Sequence, residues 1–181
     1  MKSLIAAGAA ALCLATAPAA LAALAVGDKA PDFADQASMA GKQFPFKLKE
    51  ALRKGPVVLY FFPAAFTSGC TIEAHDFADA QPQYQALGAT LMGITAGNID
   101  RLTEFSVSEC RSKFPVAADP GAKIAAEYKA TLALRPGWSD RTSYVIAPDG
   151  KILLAYSDLK PNDHVAQTLA AVKAWRDKHP M

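Results

Sequence analysis

The chain has 181 residues, 51% of them hydrophobic, with 19 lysines and arginines against 17 aspartates and glutamates. That is enough for one or at most two compact domains and is unlike a fibre, a repeat array or a disordered tail. A formal charge of +2 with no long basic run argues against nucleic acid as a partner, and three cysteines with no closely spaced pair argue against a disulfide-built scaffold or a zinc knuckle.

Residues 1–22 read as a secretory leader. Lys2 precedes an apolar stretch from Leu4 to Ala15, then Pro18 and a run of small residues. Cleavage is expected after Ala22, or as late as Ala25. The apolar stretch of roughly 12 residues falls short of the ~20 that span a bilayer, so no stable membrane insertion is expected once the leader is removed. Cys13 leaves with it. Removing residues 1–25 takes away one lysine and no acidic residue, leaving a charge of +1 and two cysteines, Cys70 and Cys110. A periplasmic or secreted location follows, and with it an oxidising compartment in which two nearby cysteines can pair.

Residues 26–181 read as a single α/β domain, because strand-like and helix-like segments alternate. Val57 to Phe62 is a continuous β-branched and aromatic run, expected to be a strand buried on both faces and stopped by Pro63. Residues 68–87 predict a helix with Thr67 or Ser68 as N-cap and Gly88 as the stop, kinked or split by Pro82. Ala89 to Thr95 predicts the next strand. Asn98 to Lys113 predicts a helix, Val116 to Ala118 a short strand, and Ala122 to Tyr128 a short helix. Thr142 to Ala147 and Ile152 to Tyr156 flank an Asp149-Gly150 turn and predict a hairpin, which makes the sheet mixed. Val165, Leu169, Val172 and Trp175 mark a C-terminal helix lying on that sheet.

The informative stretch is Pro63-Ala64-Ala65-Phe66-Thr67-Ser68-Gly69-Cys70, between the buried strand and the first long helix. It sets Cys70 in a helix's first turn, where unpaired N–H groups and the positive end of the dipole favour the thiolate, the species that attacks. Thr67 stands three residues earlier, able to aim its hydroxyl at the same spot. A small buried cysteine of the core would occupy the same place, and position alone leaves both readings open.

The pattern P-x-x-x-T-x-x-C after an apolar strand, followed by Thr71-Ile72-Glu73, resembles the active-site signature of peroxiredoxins. Gly27 to Phe33 resembles that family's N-terminal opening, and Arg141 to Ile146 with Asp149 to Ile152 its arginine-bearing strand and hairpin. Within the family the chain is most similar to the Q-type, or bacterioferritin comigratory protein, branch. The resemblance implies a thioredoxin-like fold with a central mixed sheet flanked by helices. It also implies a thiol-dependent peroxidase acting on hydrogen peroxide and small organic hydroperoxides without metal, haem or flavin. Cys70 would be the peroxidatic nucleophile, with Thr67 and Arg141 supplying hydrogen bonds and charge to the peroxide oxygens. Pro63 would shield the sulfur from water, and Glu73 would orient the arginine.

Attack leaves a sulfenic acid that must be condensed with a thiol before it over-oxidises. Many Q-type members carry a resolving cysteine five residues after the peroxidatic one; this chain has His75 there. The resemblance implies Cys110, 40 residues after Cys70, as the resolver, which requires the two Cα atoms to come within ~7 Å. Gly69, Gly97 and the polar run from Ser106 to Glu109 are compatible with that motion. A one-cysteine mechanism and a static cysteine are the alternatives. Recycling would draw on an exported thioredoxin-like reductant. A monomer and a dimer are equally compatible with the sequence. His75, His164 and His179 are too scattered to announce a metal site, and His75 reads as paired with Asp76 on a helix surface. Trp138 reads either as lining the pocket mouth or as a loop residue covering the core. The rival functions are a thioredoxin-fold thiol oxidoreductase or redox sensor, and a non-enzymatic domain with a static Cys70–Cys110 disulfide.

Overall fold

The computed structural model describes residues 23–180, so the leader assigned to residues 1–22 lies outside the described residues. In chain order the elements are β1 (Ala34–Met39), β2 (Lys42–Lys47), α1 (Leu48–Leu52), β3 (Val57–Ala64), α2 (Ser68–Ala86), β4 (Thr90–Gly97), a 3-10 turn (Ile99–Arg101), α3 (Leu102–Ser108), β5 (Val116–Ala118), α4 (Lys123–Glu127), β6 (Thr142–Ile146), β7 (Ile152–Ser157) and α5 (His164–Arg176). The strands form one sheet in the order β2-β1-β5-β4-β3-β6-β7. β3 runs parallel to β4, and β4 to β5, while the β1–β2, β1–β5, β3–β6 and β6–β7 pairs are antiparallel.

β3 holds the molecule together because both of its faces are covered. Every residue from Val57 to Phe62 is fully buried. The pleat sends Val57, Leu59 and Phe61 to one side, against Leu48, Tyr128, Tyr144 and Ile146. It sends Val58, Tyr60 and Phe62 to the other, against Phe77, Phe105, Phe114 and both cysteines. Each such aliphatic or aromatic side chain contributes roughly 1.5–3 kcal/mol by leaving water.

Several elements depart from their expected limits. β3 runs two residues past Phe62, carrying Pro63 within it, and Ala64 still pairs with Gly97. α2 is one helix through Pro82, because Gln81 and Tyr84 beside it are buried and hold the turn that lacks the proline's N–H. The helix expected over residues 98–113 is shorter. After the 3-10 turn, α3 ends at Ser108, and Arg111 and Ser112 take left-handed φ values of 50° and 57°. The Cys110 amide donates to the Phe105 carbonyl at 3.0 Å, five residues back, so Cys110 lies in the turn that ends the helix. The β1–β2 hairpin and α1 were not expected from the sequence at all.

Candidate active site

Cys70 is the third residue of α2, and its side chain is buried, with 1% exposed. The turn leading to it is pinned against the end of β4. Ala65 donates its amide to the Gly97 carbonyl at 3.1 Å, and Asn98 Nδ2 donates to the Ala65 carbonyl at 3.0 Å. Phe66 adopts a φ of 62°, unusual for a bulky residue, and is held edge-on against Phe105 at 5.2 Å, with the Arg101 guanidinium 4.6 Å from its ring centre. Thr67 is the N-cap residue by position, but its hydroxyl makes no cap bond and donates to the Ala64 carbonyl at 3.0 Å. Pro63 is half-buried beside this turn. Gly69 and Gly97 are also required sterically. A Cβ at Gly97 would stand 2.5 Å from the Pro63 carbonyl oxygen, and one at Gly69 would stand 3.2 Å from the Arg141 guanidinium.

Arg141 immediately precedes β6, and only 4% of it is exposed. Its Nη2 donates to Cys70 Sγ at 3.4 Å, its Nη1 donates to Glu73 Oε2, and its Nε donates to the Leu159 carbonyl at 2.9 Å. The antiparallel β3–β6 pairing makes this meeting possible, because it sets the end of β3 beside the start of β6. Burial pushes the Glu73 carboxyl up from its ordinary range, and the guanidinium beside it pulls it back. Burial also opposes the charge on Arg141, but Glu73 and Cys70 together hold its proton more firmly than usual.

Behind Glu73 lies a residue that the sequence reading passed over. His164, the first residue of α5, is fully buried. Its Nε2 meets the Asp158 carbonyl at 2.9 Å, which can only accept, so Nε2 carries the proton. Nδ1 therefore accepts from the Ser143 hydroxyl at 2.8 Å and stands 3.7 Å from Glu73 Oε1. Burial depresses the imidazole's proton affinity, which keeps the ring neutral. A single histidine at a helix start carries no signal by spacing; only its partner Ser143, on the strand that follows Arg141, reveals it.

Cys110 is also buried and unpaired, and burial pushes its thiol well up, with the Glu109 carboxylate adding to the effect. The chain around it is fastened to the outer face of α2 at two points. His75 Nε2 pairs with Glu109 Oε2 at 3.0 Å rather than with Asp76, and Arg111 Nη1 donates to Asp79 Oδ1 at 2.5 Å. Between the layers sits Tyr60, whose buried hydroxyl has no hydrogen-bond partner among the described residues, a loss of roughly 1–3 kcal/mol for an ordinary buried polar group. Trp138 is half-buried in the loop before Arg141, with the Arg135 guanidinium 3.3 Å from its ring centre.

A mixed sheet carrying a buried cysteine at a helix start, with an arginine held on the sulfur by a buried carboxylate, defines a thiol-based redox enzyme of thioredoxin-like fold. Residues 26–155 match the model of the AhpC/TSA family, and the chain belongs to that family, the peroxiredoxins, which are thiol-dependent peroxidases. The protein MT1643 of Mycobacterium tuberculosis (strain CDC 1551 / Oshkosh), which carries a peroxiredoxin name, is 33% identical over 135 residues, 73% of this chain and 87% of its own. The chloroplastic peroxiredoxin Q of Triticum aestivum is 31% identical over 119 residues, 65% of this chain and 54% of its own. The crystal structure of peroxidoxin BcpB from Mycobacterium tuberculosis superimposes with a TM-score of 0.72 at 30% identity, over 82% of this chain and 96% of that one.

Proposed function

We propose that this protein reduces hydrogen peroxide and small organic hydroperoxides, with Cys70 as the nucleophile, in the periplasm or outside the cell. The observation that carries the reading is the buried contact from Arg141 Nη2 to Cys70 Sγ at 3.4 Å, in the first turn of α2. A fixed positive charge on the sulfur suits a thiolate and the negative charge that moves from it to the peroxide. The sulfur bonds to the near oxygen, the O–O bond breaks, and the departing oxygen takes a proton to leave as water or an alcohol. Thr67 spends its own proton on the Ala64 carbonyl, so toward the peroxide its oxygen serves as an acceptor and orients the peroxide O–H. Glu73 holds the arginine, and Pro63 keeps water from the sulfur.

The resulting sulfenic acid condenses with Cys110, and an exported thioredoxin-like dithiol reduces the disulfide. Within that reading, the Leu24 amide donates to the Tyr144 hydroxyl at 3.2 Å, and Ala23 and Leu24 pack on the core. Those contacts favour cleavage after Ala22 over cleavage after Ala25.

The deciding experiment is stopped-flow oxidation of the reduced protein by substoichiometric hydrogen peroxide, followed by mass spectrometry, with Cys110→Ser alongside. Fast loss of the Cys70 thiol and a Cys70–Cys110 disulfide, replaced by sulfenic or sulfinic acid in the variant, is the expected result. A Cys70 that reacts no faster than a free thiol removes the peroxidase reading.

A further inference from the structure

Tyr60 lies in the middle of β3, on the face that carries both cysteines. Phe77 stacks on its ring at 4.4 Å and Phe62 at 5.3 Å, and Phe114 meets it edge-on at 6.0 Å. Gly93, its register partner on β4, sets the direction in which the ring lies. A Cβ at residue 93 would stand 2.8 Å from the phenol's Cζ and 2.9 Å from its oxygen, so the ring lies across β4 and the bare glycine admits it. Gly93 pairs in turn with Val116 on β5, and its amide donates to the Pro115 carbonyl at 3.0 Å. The phenol therefore reaches from β3 over β4 toward the chain just before β5, where Cys110 and Phe114 stand.

A glycine inside a buried strand and a hydroxyl without a partner are each unfavourable alone. A phenylalanine at position 60 would fill the same space and bury no orphaned oxygen. Burial chiefly holds the phenol's proton, and of the neighbouring ionisable groups Cys110 would, once ionised, add most to that effect, ahead of Glu73 and Cys70. The Cys110 thiol, which burial holds protonated, has no hydrogen-bond donor on its sulfur among the described residues.

We propose that the Tyr60 hydroxyl donates a hydrogen bond to the Cys110 sulfur as that thiol gives up its proton and attacks the Cys70 sulfenic acid. The assignment rests on the reading of Cys110 as the resolving cysteine. In the step, the Cys110 sulfur bonds to the Cys70 sulfur and the S–O bond breaks. The departing hydroxide joins the thiol's proton as water, the thiol sulfur being oxidised and the sulfenic sulfur reduced. A donor whose ring is already fixed by an aromatic cluster loses little orientational freedom when it meets the charge.

The test is Tyr60→Phe, followed in two phases: loss of the Cys70 thiol, and formation of the Cys70–Cys110 disulfide. The disulfide phase is expected to slow tenfold or more, with thiol loss within about twofold of the wild type. Cys70 sulfinic acid should accumulate at lower peroxide, and the thermal midpoint should be no lower. A disulfide phase as fast as the wild type's overturns the proposal and leaves the Cys110 reading intact, and equal slowing of both phases also overturns it. If the wild-type protein itself forms no Cys70–Cys110 bond, the underlying reading falls and this assignment with it.

Discussion

Arg141 puts one guanidinium to three uses, gripping the Leu159 carbonyl, the Glu73 carboxyl and the Cys70 sulfur with three different nitrogens. A lysine cannot reproduce that fork. Arg141→Lys is therefore expected to slow Cys70 oxidation roughly 10²-fold, the scale of losing one aligned donor at a reacting centre; the second-order rate with hydrogen peroxide is the measurement. His164 gives a second consequence at this scale. Its imidazole faces Glu73, Arg141, Asp140 and Asp158, with Tyr156 edge-on at 4.8 Å. Its proton affinity in the fold is depressed below the ordinary 6.5, so the unfolded chain binds the extra proton first. The stability it contributes is complete above about pH 6.5 and is lost as pH falls through the depressed native value. Between pH 7.5 and 5 the wild type's urea midpoint should therefore fall relative to that of His164→Asn, which keeps a hydrogen-bonding group toward Ser143; the Glu73 carboxyl, pushed up to about 8 by burial, works in the opposite sense in both proteins. Cys70, Thr67 and Glu73 stood out in the sequence because one motif joins them, and Arg141 stood out only through the resemblance to the family's arginine-bearing strand; the structure brings Cys70, Glu73 and Arg141 into contact. Leu159 acts through its backbone carbonyl, and His164 through a distant serine, so neither leaves a pattern in the residue order.

Among the elements, β3 and the β6–β7 hairpin could be read because each carries a strong local signal: an unbroken apolar run, and an Asp-Gly turn with Gly150 at a φ of 81°. β1 and β2 have none. Their apolar residues are few and broken by polar ones, their turn is Ala40-Gly41 with φ values of 51° and 78°, and Pro45 sits in β2, tolerated because β2 is the sheet edge. The early end of α3 was hidden for a related reason, since Arg111 and Ser112 take left-handed φ without being glycine or asparagine. That strained turn is the one fastened to α2 by His75–Glu109 and Asp79–Arg111. Both pairs are partly exposed, so each contributes only about 0.2–1 kcal/mol. The double variant His75→Ala, Asp79→Ala should raise hydrogen exchange of the amides from Glu109 to Lys113 by a few-fold, with α2 itself little changed. Unchanged exchange there would mean that the aromatic cluster alone holds the turn. Asp119 shows the same economy at α4: its carboxylate accepts from the amides of Lys123, Ile124 and Ala125 at 2.8–3.1 Å. Asp119→Ala should cost about 1–2 kcal/mol in denaturant unfolding.

For the molecule as a whole, the sheet divides two kinds of interior. One face is a plain packing core, and the other holds both thiols among aromatic rings. The packing core is also where the first described residues are tied down. Gly27, Asp28 and Ala30 exchange backbone hydrogen bonds with Gly150 and Ile152, and Leu24 reaches Tyr144. A mature form starting at Ala23 should accordingly unfold at a higher temperature than one starting at Val26, by an amount on the order of one buried hydrogen bond, about 1 kcal/mol. Among the described residues, no helix is long and apolar enough to cross a membrane.

The pairing of β3 with β6 carries one more consequence. Phe61 stands opposite Thr142, and one step further sets Arg141 opposite Phe62, whose side chain points toward α2. The chemistry thus hangs on parity. A slip of a single residue in this ladder would leave every backbone bond replaceable, yet it would turn the guanidinium to the far side of the sheet. A slip of two would restore its face and only move it along. The sheet is in this sense a selector with two positions, and the apolar side chains of β6 that lock its register also keep the arginine on the sulfur's side.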